Sequence, residues 1–274
     1  GIGHQNNYVV VFKQKSIQFW YDAANAPGSP MANVEQAMQQ FGAFSTGTIQ
    51  SIENTMYFVG NGGTGGQTVW AIDGTTNARE IGNESINRII SAEATLSSST
   101  SNCFRVAGNY FYALQLNSQT LVYNQNSDTW TVWTDTTGAS YWPIADTSSG
   151  PNFLLGQHTT NGWIYTISEN FYQDDSVNFN MTMVTPKIDF DTTKRKWFER
   201  LELVGDVPPT SVSAAIYYTD DDYQTFNVSR SFAYQNRYWT RRLGQSRRRA
   251  WNLQFTGNAP LRFEALEMDI RIGD

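Results

Sequence analysis

Few stretches of this 274-residue chain carry side chains dense enough to do chemistry. The first is Thr219-Asp220-Asp221-Asp222-Tyr223-Gln224-Thr225-Phe226. It approximates the Asp-box pattern, Ser/Thr-x-Asp-x-Gly-x-Thr-Trp/Phe, in which an Asp accepts backbone N–H bonds across a tight hairpin. Three carboxylates in a row could also hold calcium, but the Gly and distal Glu of a calcium loop are missing. The stretch therefore reads as a turn. The second is basic: Arg241-Arg242 and Arg247-Arg248-Arg249, with Lys194-Arg195-Lys196 upstream. From Asn178 onward Arg outnumbers Lys eleven to three. The planar guanidinium suits two-pronged pairing with carboxylates or phosphates. The third is the glycine-rich run 61–67, NGGTGGQ, which superficially looks like a phosphate cradle. It lacks the Gly-Lys-Ser/Thr ending and a following helix, so it reads as a hairpin loop.

Hydrolytic chemistry finds no support. A glycosidase needs two opposed carboxylates; Glu53 and Asp73 are available, but nothing selects them as a pair. No Gly-x-Ser-x-Gly elbow is present, and no Ser-His-Asp set can be assembled. The two histidines, His4 and His158, sit in separate contexts, which leaves no zinc cluster. The lone Cys103 forms no internal disulfide and sits in a strand pattern as a small apolar residue. The expectation is no catalytic residue, no bound metal and no cofactor. No apolar run is long enough to span a membrane.

Charge divides the chain. Residues 1–177 hold five Lys and Arg against thirteen Asp and Glu, a net −8, whereas residues 178–274 hold fourteen against twelve, a net +2. Such a step marks a change of domain or of partner. Only 16% of residues are charged and 14% are aromatic, which disfavours a long-helix protein.

The elements that must position these residues are short strands. In 109–135 three runs rich in aromatic and β-branched residues, 110–116, 120–123 and 130–133, are separated by turn formers. With 103–107 they make an up-and-down antiparallel unit that needs neighbours of its own kind. Other units read at 8–12 and 16–21, at 48–52, 56–59, 68–72 and 78–81, and at 141–145, 153–157 and 163–167. Central strands begin near Tyr8, Met56, Tyr110 and Phe153, spacings of 48, 54 and 43 residues. Those spacings suit propeller blades. Residues 25–33 read as a loop with Pro27, and 34–41 as the one convincing helix, with Val34, Ala37, Met38 and Phe41 on one face. From Asn178 the strands lengthen: 179–190, 197–204, 211–218, 237–243, 249–256 and 261–272. Six alternating strands fit a β-sandwich. The fold class is therefore all-β: β-propeller blades over 1–177, then a C-terminal β-sandwich over 178–274.

Three places resemble the packaged-DNA stabilisation proteins of short-tailed phages, also called tail hub or nozzle proteins. They are VVFKQKSIQFWYDAANAPGSPM, VWAIDGTTNAREIGNESINRIIS, and IYYTDDDYQTFNVSR with YWTRRLGQSRRRAWNLQFTGNAPLRFEALEMDI. The last departs from the family at Tyr223, where the family has Gly, so that turn is expected to be built differently. The family is longer on the N-terminal side. With Gly1 standing directly before a strand, the chain is expected to begin inside a longer parent and to lack N-terminal blades.

The resemblance implies a virion structural protein. It would be a tail hub, a homo-oligomer in a hexameric ring below the head-to-tail adaptor, made in the host cytoplasm. DNA would pass through the ring without sequence-specific binding, and other tail proteins would be partners. Tight phosphate binding would hinder a sliding duplex. Arg241, Arg242, Arg247, Arg248, Arg249, Lys194, Arg195 and Lys196 are therefore expected to meet protein carboxylates, the acidic propeller of a neighbouring copy among them. The alternative is a propeller-based carbohydrate-binding or host-attachment module using Trp20, Tyr21, Trp130 and Trp133 as exposed aromatics.

Overall fold

The computed structural model describes residues 1–24, 28–61, 66–151 and 153–273. The chain is all-β and divides into two compact units, Gly1–Glu169 and Asn170–Asp274. The division falls at Asn170, whereas the change of texture in the sequence falls at Asn178. Residues 62–65 of the glycine-rich run, and Pro27 of the loop 25–33, lie outside the described residues.

The first unit is a series of small antiparallel sheets, each in simple chain order. Sheet one holds β1 (Ile2–Gln5), β2 (Tyr8–Phe12), β3 (Ile17–Asp22) and β4 (Met31–Asn33). Sheet two holds β5 (Gln50–Ile52), β6 (Thr55–Asn61), β7 (Gln67–Asp73) and β8 (Ala78–Glu80). Sheet three holds β9 (Thr100–Val106), β10 (Asn109–Gln115), β11 (Thr120–Asn124) and β12 (Thr129–Trp133). Sheet four has only β13 (Ile144–Gly150), β14 (Phe153–His158) and β15 (Ile164–Thr166). Each successive pair of sheets closes its own core. Val10, Phe12 and Phe19 meet Met56, Phe58 and Ile72. Tyr57, Val59 and Val69 meet Tyr112, Leu114 and Tyr123, and the rings of Tyr57 and Tyr112 stack at 5.0 Å. Phe104, Ala113 and Val122 meet Trp142, Ile144 and Leu154. Alternation along each strand sends one set of side chains to each neighbour, so the middles of the central strands, 56–59, 69–72, 111–114 and 121–123, are apolar on both faces.

The helix stands elsewhere than the sequence suggested. Residues 34–41 form only a single 3-10 turn, Glu35–Ala37. The backbone is already extended at Met38, and Gln39 exchanges hydrogen bonds with Ile17 of β3, at 3.0 and 3.2 Å, so the peptide groups that a helix would need are taken. Among the described residues the α-helix is α1, Glu84–Ala92. Asn83 caps it by accepting the Ile86 N–H at 3.0 Å, Arg88 pairs with Glu84 one turn away at 3.2 Å, and Ile86 and Ile90 are buried. Two short strands fall outside the strand patterns of the sequence, β1 before 8–12 and β4 within the loop 25–33, and β13 starts later and runs further than 141–145. Its Asp146-Thr147-Ser148-Ser149-Gly150 has poor strand propensity and is held by pairing with β14.

The second unit places two sheets on one core. One sheet runs in the order β16 (Asn180–Val184), β22 (Ala250–Thr256), β18 (Val212–Thr219), β19 (Asn227–Tyr234). The other sets β17 (Lys196–Gly205) between β23 (Phe263–Ile272) on one side and β20 (Tyr238–Arg241) with β21 (Gln245–Ser246) on the other. Phe198, Leu201 and Leu203 face Val212, Ile216, Trp251, Leu253 and Phe255, and the rings of Phe198 and Trp251 meet edge-on at 5.7 Å. Residues 179–190 are not one strand: β16 stops before Pro186, which has no N–H to pair. β19 was not expected from its polar sequence. Arg230 ties it to the other sheet by donating to Thr240 Oγ1 and to the Arg241 carbonyl, each at 3.1 Å.

The outer faces of these two sheets differ. On the first, register sets three cross-strand rows: Val184–Asn252–Tyr217–Val228, Thr182–Gln254–Ala215–Ser231 and Asn180–Thr256–Ser213–Ala233. None of these positions is charged. The outer face of the second pairs Trp197 with Arg271, sets Arg200 between Arg241 and Asp269, and sets Glu202 between Trp239 and Glu267.

Candidate functional site

The basic run and the acidic hairpin come together at one end of the second unit, because β18 pairs with β22 up to Thr219 and Ala250. The hairpin turn is the Asp-box read from the sequence. Asp221 Oδ1 accepts from the Thr219 hydroxyl at 2.7 Å and from the Thr225 N–H at 3.0 Å, and Oδ2 accepts from the Thr225 hydroxyl. The Tyr223 N–H donates back to Thr219 Oγ1 at 3.2 Å. Those bonds, the Thr225 hydroxyl first, hold the Asp221 carboxyl down to about 2. Tyr223 is not a departure in backbone geometry. It adopts φ 67°, next to Asp222 at φ 63°, so a bulky residue occupies the left-handed position that favours glycine. Its ring lies 5.1 Å from Lys187 Nζ, and its hydroxyl donates to the Thr185 carbonyl at 3.3 Å.

Two of the eight basic residues expected at an interface are interior. Arg249 is 2% exposed and makes a two-pronged pair with Asp220 at 2.8 and 2.7 Å. It also donates to the Leu243 carbonyl and lies 4.7, 4.1 and 5.4 Å from the ring centroids of Phe198, Tyr218 and Trp251. Lys196 is fully buried, its ammonium donating to the carbonyls of Thr192 and Arg247. Both charges have partners inside the unit, a carboxylate and a carbonyl for Arg249 and two carbonyls for Lys196, as a buried ion requires. They are framework, and the interface expectation is corrected at these positions. Arg248 and Lys187 converge on Asp222, the former at 3.3 Å. Arg248 thus has a partner in its own hairpin and stays more than half exposed.

The remaining five, Lys194, Arg195, Arg241, Arg242 and Arg247, are exposed. No ion pair joins them to another described residue. Arg241 lies over the Trp239 ring at 4.9 Å. Alternation alone could have found Arg249. It stands two residues before the core position Trp251, so it points the same way.

The second sheet carries a further charged centre that the sequence did not single out. Glu202 is buried on the outer face of β17 and receives Arg237 and Arg200, with Arg200 again 3.9 Å from Asp269. The Arg237 hydrogen bond, above all, holds the Glu202 carboxyl below the usual carboxylate range.

The aromatics expected to be exposed are largely engaged. Trp130 packs on the sheet-two/sheet-three core and donates its indole N–H to the Ile81 carbonyl at 2.8 Å. Trp133 meets Trp142 edge-on at 5.0 Å. Trp20 is half-buried, and of the four only Tyr21 is exposed. Cys103 is half-buried, and burial pushes its thiol well above the ordinary range. Among the described residues no His, Cys, Asp and Glu side chains gather as a metal-ligand set, and no helix is long and apolar enough to cross a membrane.

A family model described as bacteriophage P22 Gp10, beta-propeller, matches residues 1–172. Comparison with curated proteins gives no match. Among solved structures, that of the S. cerevisiae core factor aligns over 92% of this chain at 10% identity and a TM-score of 0.33, and this chain spans 44% of its length. A glycoside hydrolase aligns over 98% of this chain and 96% of its own, at 7% identity and a TM-score of 0.22. At such TM-scores neither likeness carries an argument.

Proposed function

The chain belongs to the phage stabilisation family of bacteriophage P22 Gp10, and from that premise we propose that it is a tail hub, a virion component that continues the DNA channel below the head-to-tail adaptor. The observation that carries this is the family match over residues 1–172. The serial four-sheet unit supports it, because small up-and-down sheets that share cores with both neighbours are what propeller blades require. In this reading the first unit is a set of blades and the second a β-sandwich. Copies assemble as a ring, hexameric by likeness to the family. DNA slides through without being read, and other tail proteins attach outside. The protein is made in the host cytoplasm and does its work in the tail, as a scaffold rather than an enzyme.

The interface reading narrows to the side chains that stand free. Lys194, Arg195, Arg241, Arg242 and Arg247, with Arg248 shared, form a basic crest that meets carboxylates of an adjoining copy or tail protein. Electron microscopy of the purified protein tests the assembly, and isolated monomers under all conditions would remove it. Replacing Arg195, Arg242 and Arg247 with Ser tests the crest. The fold should change by no more than about 0.5 kcal/mol per site, while rings or particles lose their cohesion. Particles that assemble and retain DNA unchanged would leave the crest a solvated face. The alternative of glycan binding through Trp20, Tyr21, Trp130 and Trp133 has little support, since the three tryptophan rings are half-buried or built into cores and Tyr21 alone of the four is exposed.

A further inference from the structure

We propose that two copies of this chain pair edge to edge through β23, strand against strand about a two-fold axis. The proposal is independent of the hub reading. A ring is closed by head-to-tail contacts, whereas this contact sets one surface against itself.

The first observation is a difference among the sheet edges of the second unit. A bare edge is a template for another chain, and proteins blunt it with short strands, breaks or inward-pointing charge. Among the described residues the two sheets of that unit have four edges, and three are blunted. β16 is five residues long and stops before Pro186. β19 turns the Arg230 guanidinium inward, onto Thr240 Oγ1 and the Arg241 carbonyl. β20 and β21 are parted by a break at which Arg242 and Gly244 adopt φ 60° and 83°. β23 is the exception. It is ten residues long and pairs with β17 alone among the described strands. Past a bulge at Glu264 it runs regularly from Ala265 to Ile272, with no Gly and no Pro.

The second observation is what that edge leaves open. The Gly273 N–H donates to the Arg195 carbonyl at 2.8 Å, so the odd-numbered residues of this stretch bond toward β17. The peptide groups of Leu266, Met268, Ile270 and Ile272 therefore point away from the sheet. The side chains of the first three pack on the core of the unit yet are only half-buried, whereas Leu203 and Leu201, opposite Leu266 and Met268 on β17, are buried. Ile272 is 47% exposed. A strand added along β23 completes the hydrogen-bond ladder and covers these side chains together.

The third observation is charge, and it selects a second copy as that strand. With Ile270 opposite Ile270 of the second copy, Met268 meets Ile272 on the core side. On the outer side Asp269 then meets Arg271, once on each side of the axis. Moving the partner by two residues is the smallest step that keeps the core side chains on one face. It sets Asp269 against Asp269 in one direction and Arg271 against Arg271 in the other, and like charges directly opposite destabilise a sheet. Asp269 and Arg271 are both well exposed. Their present partners, Arg200 at 3.9 Å and Glu199 at 3.3 Å, leave each open to a second one.

The test is sedimentation of the full chain over a range of concentrations, which should show a monomer–dimer equilibrium. Asp269→Arg alone and Arg271→Asp alone each set like charges against one another across the axis. Each should weaken the dimer by about tenfold, a difference of about 1.4 kcal/mol. An equimolar mixture of the two variants should recover it, because the mixed pair has Arg against Asp at both places. Circular dichroism checks that each variant is folded. In the unaltered chain the amides of Met268 and Ile270 should exchange more slowly as concentration rises. A chain monomeric at every concentration, a dimer indifferent to both charge reversals, or a mixture no tighter than either variant alone would each overturn the proposal. Association into rings alone, unaltered by either variant, would do the same. Ring formation is read by electron microscopy and depends on the basic crest, so the failure of one reading does not touch the other.

Discussion

The two units solve the problem of burying apolar surface in opposite ways. The first divides its interior into three clusters, each closed between successive small sheets. The second gathers its interior into one cluster fed by both of its sheets. In a serial array stability is a sum of neighbour terms, so damage at one junction stays near that junction. In a single core, every strand depends on the same set of contacts. The first unit should therefore loosen piece by piece, and the second should unfold as a whole.

The largest effect should come from the centre of the single core. Trp251 is fully buried and touches Phe198, Tyr218 and the Arg249 guanidinium. Trp251→Ala should cost about 3–5 kcal/mol. Hydrogen exchange should rise across both sheets of that unit together, while sheets one to four keep their protection. Exchange confined to β22 and its immediate neighbours would break the comparison. Next comes Leu154, on the outermost junction of the serial unit. Leu154→Ala should cost about 2 kcal/mol or somewhat more. Faster exchange should be confined to β13, β14 and β15 and the facing strands of sheet three, with sheet one unchanged.

Acid should separate the units by charge. Asp221, Asp222 and Glu202 in the second unit all titrate below their ordinary values, held respectively by the Thr225 hydroxyl, Lys187 and Arg237. In the first unit Asp135 does so, through the Thr137 hydroxyl. A carboxyl depressed by folding stabilises the protein above its unfolded value of about 4. That contribution is lost as pH falls toward the folded value, about 2 for Asp221. Asp174 opposes them, since burial raises it and its protonated form suits the fold. The second unit should accordingly loosen first between about pH 4 and 2, as read by circular dichroism and exchange. The reverse order would show that the Arg and Thr partners of these carboxyls matter little. The smallest effect belongs to Tyr223→Gly. It relieves a left-handed bulky residue, a gain of about 1 kcal/mol, and forfeits the contact with Lys187. A slight rise in the unfolding midpoint is expected, and a marked fall would make the ring the stronger term.

Legibility in the sequence followed locality. The four units of the first domain, and the turn around Asp221, could be read because alternating strands and turn formers lie close together along the chain. β19 and β13 could not, since Ser, Asn and Arg have no strand preference of their own and are recruited by neighbours. Helix α1 was signalled by Asn83, by Glu84 with Arg88 and by Ile86 with Ile90, whereas the apolar spacing at 34–41 misled because Gln39 is claimed by β3. The basic run showed its density but not its fate. Which guanidinium turns inward depends on register with Thr219 and on the aromatic rings behind it, facts that only pairing supplies.

The register of β17 also sets an order of events in time. Sheets one to four pair strands that follow one another directly, so each can close soon after its last strand is made. β17 must find β23, with Lys196 opposite Ile272, and β16 must find β22, with Asn180 opposite Thr256. Each of these closes a loop of 76 residues. Closing such loops slows the search, because chain entropy is spent before the contacts reward it. While the ribosome is still making β18 to β22, the serial unit can already be folded, and β17 waits with both edges bare until β20 is made and with one edge bare until β23 is.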